Sequence, residues 1–271
     1  MKELLAFEYR KLIRSKSLYI CMIVMVVLSI AGVVINKATM NFLGTMADTG
    51  LATGTEGLGT LFSYSGLKYL VSACNGTNMV IFLAIFVTIF VCGDFTEGTI
   101  KDVVSRGFSR CQIFYAKSII ISLGSCVFAV LSMLVSFVAA SIAFGVGNDF
   151  ETSVIVTLLV QLLGIIAYTM MDVLLAVLFT KLGGALTLGI LSPMILPLIF
   201  QPLDLLVTFL SDRNSDVSNE FFSRFTISTN MSKISDLGVE GKDLAFAATI
   251  FVAFIVLFGF LGILSIRKKE V

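Results

Sequence analysis

Residues 154–180, VIVTLLVQLLGIIAYTMMDVLLAVLFT, run for 27 positions with a single charge, Asp172. A bilayer core takes about 20 apolar residues of helix to cross, and a helix that is apolar on every face has no water-facing side. Comparable runs occur at 18–35, 77–93, 118–144, 182–200 and 244–266. The chain therefore reads as an all-α integral membrane protein, one transmembrane domain over residues 1–271 with six transmembrane helices. Composition agrees, at 57% hydrophobic and 14% charged residues with a mean hydropathy of +1.00, a balance foreign to water-soluble folds. The second run is apolar from Met79, and its helix is expected to extend back through Val71 to Thr77.

Nineteen basic and 18 acidic residues leave a net charge of +1, which gives no reason to expect nucleic acid as a partner. Sorted by side of the membrane, the balance is uneven. The N-terminal segment, the 94–117 loop, Lys181 and the tail carry 13 Lys and Arg with six acids; the 36–76, 145–153 and 201–243 segments carry six with eleven acids. Excess Lys and Arg marks the cytoplasmic side, so both termini are placed there and 201–243 becomes an extracellular loop.

Histidine and tryptophan are absent. That removes imidazole acid–base chemistry, His metal ligands and Ser-His or Cys-His nucleophiles, and no catalytic residue is expected. Five scattered cysteines, Cys21, Cys74, Cys92, Cys111 and Cys126, suit neither a disulfide framework nor a zinc site. No GxxxxGK[ST] loop or dinucleotide fingerprint occurs, so the chain is expected to bind no cofactor and to carry no P-loop ATP site.

Outside the spans, residues 2–16 form an amphipathic helix suited to the cytoplasmic interface, with Leu5, Tyr9, Leu12 and Ile13 on one face. The outer loop 36–76, rich in Gly, Thr and Ser, is expected to be mobile or partly re-entrant. Pro193, Pro197 and Pro202 predict a break near the outer end of the fifth span, with residues 201–210 as a separate short helix; an ordinary kink is the alternative. Gly183 and Gly184 read as turn residues, and Ser125, Ala129, Ser132, Ser136 and Ala140 as a close-packing row. Asp172 is the single clearly intramembrane charge, about 13 Å of helix rise before Lys181. It is a candidate for the transport path, or else an acid capped by a neighbouring hydroxyl. An intramembrane aspartyl protease lacks its motifs here: Met170 and Met171 precede Asp172, and Asp94 follows Val91, Cys92 and Gly93.

The stretch 92–118, CGDFTEGTIKDVVSRGFSRCQIFYAKS, alternates its charges: Asp94, Glu97, Lys101, Asp102, Arg106, Arg110, Lys117. Gly98 should end the helix leaving the second span, Thr99 can cap a short helix over 100–105, and Ser109 can cap the helix that re-enters the membrane. This loop resembles the first intracellular loop of ABC-2 type permeases, the membrane subunits of ATP-binding cassette exporters. The likeness rests on Glu97-Gly98-Thr99, Lys101, Ser105, Gly107, Ser109-Arg110 and Lys117, with the six-span plan and basic tail behind them. Gly107-Phe108, where many relatives carry Pro, resembles the bacitracin and lantibiotic immunity branch of Gram-positive bacteria.

The resemblance implies a permease in a bacterial plasma membrane, with a second identical or related permease and two ABC ATPase subunits that bind ATP-Mg. It also implies an ATPase-coupling role for Asp94, Glu97, Gly98, Thr99, Lys101, Ser105, Arg106, Gly107, Ser109 and Arg110. The expected cargo is amphiphilic, an antimicrobial peptide of the lantibiotic or bacitracin type. A sodium or drug exporter of the same family and a gradient-driven carrier or channel are the alternatives, and a solvated loop that only sets topology is the alternative for residues 94–117.

Overall fold

The structure, a computed structural model, describes residues 2–48, 65–75, 77–147, 152–210 and 222–268. In chain order these form α1 (Lys2–Arg14), α2 (Lys16–Asp48), α3 (Gly66–Ser72), α4 (Thr77–Thr96), α5 (Thr99–Ser105), α6 (Arg110–Phe144), α7 (Thr152–Phe179) and α8 (Leu182–Leu210). A 3₁₀ turn (Ser223–Phe225), α9 (Ile227–Lys233) and α10 (Gly241–Lys268) follow. Six of them, α2, α4, α6, α7, α8 and α10, are long and apolar enough to cross a membrane, and no strand occurs among the described residues. The protein is an all-α integral membrane protein.

Lipid tails are as apolar as leucine, so hydrophobicity does not decide which of these helices sits in the centre; close approach does. The centre is α7, which packs against α4, α6, α8 and α10. Along their membrane-length stretches, 61% of α4 and of α7 is buried, against 12% for α8 and 17% for α2. Small residues make the contacts. Ala84, Ala129, Ala140, Ala167 and Ala176 are wholly buried, and a methyl group added to Gly164 would stand 2.7 Å from Met231 Sδ and 3.0 Å from the Phe251 ring. The row Ser125, Ala129, Ser132, Ser136 and Ala140 on α6 is buried as well. The end of α10 returns beside the start of α6, where Arg267 Nε donates to Cys111 Sγ at 3.2 Å. α1 packs on α6 as well, so both terminal helices lie against α6, whose start the charges place inside the cell.

Several local expectations are corrected. The prolines do not break the fifth span: α8 runs unbroken through Pro193, Pro197 and Pro202, and residues 201–210, placed in the outer loop, continue it. The carbonyl that Pro193 leaves without an N–H is that of Gly189, four residues back, and the Ser192 hydroxyl donates to it at 3.0 Å. Gly183 and Gly184 lie in the first turn of α8, while the turn before it is taken by Thr180 at φ 52°. On α1 the face packed on the protein is Leu4, Glu8 and Leu12, while Tyr9 and Ile13 of the apolar face expected at the membrane interface stay exposed.

At the outer end α2 continues as helix to Asp48, and α3 is a separate helix instead of a backward extension of α4. Its N–H groups at Gly66 and Leu67 donate to the carbonyls of Gly145 and Val146 beyond α6, at 2.9 and 3.2 Å. Residues 49–64, also within the expected outer loop, lie outside the described residues.

Candidate functional site

Between α4 and α6 the chain makes two sharp turns with a two-turn helix between them. Gly98 takes a left-handed φ of 70°, a conformation that costs other L-residues about 1–2 kcal/mol, and α5 starts at the next residue. Thr99 is not the cap. It is the first helical residue, and its hydroxyl turns back to the Asp94 carbonyl at 3.2 Å and to Asp94 Oδ1 at 3.0 Å. Gly107, at φ 89°, ends the segment. Ser109 then caps α6 reciprocally with Gln112: the Gln112 N–H donates to Ser109 Oγ at 3.3 Å and the Ser109 N–H to Gln112 Oε1 at 3.1 Å.

One side of α5 is apolar. Ile100 is buried, and Val103, Val104 and Phe108 pack with Leu4 of α1 and Ile113 and Ala116 of α6. The opposite side is a ridge of both signs, with Glu97, Lys101, Asp102, Ser105, Arg106, Gly107 and Ser109 exposed and Gly98, Thr99 and Arg110 half-buried. A groove of about 360 Å³ separates this helix from α1, lined by Glu3, Phe7, Asp102, Val103, Arg106 and Phe108 among others.

Asp94 belongs to a different layer. It is 2% exposed, and its two carboxylate oxygens each take an ammonium, Lys11 from α1 and Lys117 from α6. Lys117 also lies 4.0 Å from Glu8 Oε1, and Lys11 stands 5.4 Å over the Phe90 ring. Burial pushes the Glu8 carboxyl above its ordinary range while the Lys11 ammonium pulls it back. Burial likewise lowers Lys11, opposed by Glu8 and Glu97. Buried ions are tolerated only when paired in this way. Through Thr99 and Asp94, the loop is thereby fastened to α1, α4 and α6 at once.

Of the ten predicted loop residues, nine stay at or near the surface of one short segment and Asp94 turns inward. Sequence reading missed Glu8 as a member of this cluster, used Lys11 only to set topology, and used Lys117 for topology and the loop resemblance without pairing it to Asp94. The signal for Glu8 was its position between Leu4 and Leu12 at helical spacing, a charge inside an apolar stripe.

Asp172 stands apart from the loop. It is 1% exposed, and neither of its oxygens has a hydrogen-bond partner; the buried hydroxyl of Thr88 on α4 also lacks one. Opposite them lies Gly189 of α8, where a methyl group would sit 3.3 Å from Asp172 Oδ1 and 3.6 Å from Thr88 Oγ1. Thr88 and Asp94 are six residues apart on α4, about 9 Å of rise. Among the described residues no group of three or more acids and cysteines could hold a metal ion.

Comparison with known proteins adds one match. A family model described as ABC-2 family transporter protein fits residues 4–203, which cover nearly all of α1, the loop helix, the first four spans and most of the fifth. No curated protein matches the chain.

Proposed function

Because the chain belongs to the ABC-2 transporter family, whose members are membrane components served by an ABC ATPase, we propose that it is the permease subunit of an ATP-driven exporter for an amphiphilic compound. Two ATPase subunits would sit beneath a pair of permeases in a bacterial plasma membrane, and ATP-Mg would bind on the ATPases. The cargo proposed is an antimicrobial peptide of the lantibiotic or bacitracin type.

The observation that carries this reading is the two-layered loop. An exposed ridge of mixed charge suits a docking surface that must follow a moving partner. Directly behind it, Asp94 ties the loop to three helices, so a push on α5 reaches the bundle. Asp172 is assigned to gating within the same reading, at the meeting of α4, α7 and α8.

The test reverses charge on the ridge. Lys101→Glu with Arg106→Glu should abolish co-purification of the partner ATPase and the peptide-stimulated ATP hydrolysis of the complex, while the permease still elutes as a folded species. Intact assembly with unchanged stimulation would sink the assignment. The unpartnered Asp172–Thr88 pair favours one second reading, a monovalent cation as cargo. Asp172→Asn should then abolish sodium efflux from vesicles, and efflux would continue without ATP if the protein were a gradient-driven carrier.

A further inference from the structure

The outer halves of α2 and α6 do not close on each other. At the inner end they meet through Cys21 and Met25, which are buried in the main core. Further out lies an apolar groove of about 670 Å³ lined by Val26, Ile30, Val34, Val138 and Ile142, among others, with Lys37 as its one charged residue. Val33, 3% exposed, is buried behind it, while Val34, Val138 and Ile142 stay 60%, 55% and 81% exposed. The groove is open sideways, towards lipid.

The gap is held open from above. Tyr69 of α3 stacks on Phe144 of α6, ring centroids 6.0 Å apart, and its hydroxyl accepts from Asn36 Nδ2 of α2 at 2.7 Å. A ring that holds both helices at their outer ends stands between them as a strut. The α3 helix that carries it is itself fixed to the backbone beyond α6.

We propose that this groove is a binding site for one acyl chain of an anionic glycerophospholipid from the outer half of the bilayer, with the lipid phosphate on the Lys37 ammonium. Length fits: from Val26 to Lys37 the α2 axis rises about 16 Å, close to half of a ~30 Å hydrocarbon core. Charge fits as well. Lys37 is exposed, makes no ion pair among the described residues, and sits where a long side chain reaches the headgroup level. The Lys37 ammonium needs a counter-charge at the headgroup level, which a lipid phosphate supplies; a second copy seated on the groove is the outcome that cross-linking tests.

The experiment uses the full chain in vesicles with phosphatidylglycerol or phosphatidylcholine spin-labelled near the chain end, and reads the motionally restricted fraction. Wild type should restrict phosphatidylglycerol about fivefold more strongly than phosphatidylcholine, the order of one ammonium at the surface. Lys37→Gln should equalise the two lipids while leaving a restricted fraction. Ala139→Leu with Ala143→Leu, which fills the groove, should reduce that fraction for both. Equal restriction in wild type, or a preference that survives Lys37→Gln, overturns the proposal. So does efficient disulfide cross-linking of Ile142→Cys between two chains, which would give the groove to a second copy.

Discussion

The two ends of the bundle are fastened by different chemistry. At the inner end the contacts join side chains to one another: Asp94 with Lys11 and Lys117, and the Glu8 carboxyl at 4.0 Å from Lys117. At the outer end, side chains grip backbone. The fully buried Gln161 donates from Nε2 to the carbonyls of Val71 and Ile234, at 2.7 and 3.1 Å. Asp204 takes the N–H groups of Phe222 and Ser223 together with the Ser223 hydroxyl, and Asn230 Nδ2 donates to the carbonyls of Arg224 and Thr226, both at 2.7 Å. Flexible side chains can keep an ion pair while their helices slide. A bond to a backbone carbonyl holds one position, so the inner end is built to shift with the loop and the outer end to stay.

The largest way to break this contrast is Asp94→Ala, which takes the carboxylate from the buried Lys117 and the half-buried Lys11. A loss of about 3–5 kcal/mol is expected, enough to remove the monodisperse species in size-exclusion chromatography. Asp94→Leu combined with Lys117→Met should recover part of it, because one charge is then removed with its partner. Gln161→Leu at the other end leaves two carbonyls without donors and should cost about 2 kcal/mol. Since no ionised group is lost there, that deficit in thermal melting should be the same at pH 5 and pH 8. Ser109→Ala, which removes the cap of α6, should cost about 1 kcal/mol; an equal melting temperature for variant and wild type would refute the reciprocal cap.

Glu8→Gln sharpens the comparison with the smallest change, and its sign is the informative part. Glu8 is raised above its ordinary value of 4.5, chiefly by burial. Its stabilising, protonated form is fully present below that value and is lost as pH rises through the raised one. The amide should therefore add stability at neutral pH, about 1 kcal/mol or less, and the gain should fade below pH 4.5. A neutral-pH loss would mean that Glu8 serves as a counter-charge to Lys117.

The all-α, six-span class was legible because each span is an unbroken apolar run near bilayer length, which needs no tertiary information to recognise. The Ser109 cap was legible for a similar reason, since its partner lies three residues away. The continuity of α8 was read only as the alternative to a break, because proline statistics say nothing of whether a neighbouring hydroxyl replaces the lost donor. The dipeptide Ser192-Pro193 held that information, but its use depends on a rotamer. Within the loop, the exposed ridge followed from alternating charges on a short helix. The inward turn of Asp94 did not, because its partners are 83 residues back and 23 residues on. The protein-facing side of α1 was legible only in part: the helical spacing of Leu4, Glu8 and Leu12 marks it, but that Glu8 is buried near Lys117 depends on a helix more than 100 residues on.

Gly189 carries two of these features at once. Its carbonyl is the acceptor that Ser192 repairs beneath Pro193, and its missing side chain is the space facing Asp172 and Thr88. The side chain at 189 is limited by the gap, while its backbone, which any residue would supply, serves the bend. Alanine at 189 asks Asp172 Oδ1, 3.3 Å away, to give by a few tenths of an ångström, and larger side chains would meet Ala84 and Thr88 as well, so a saturation scan should favour the smallest residues there, whereas the lipid-facing residues beside it accept most apolar replacements.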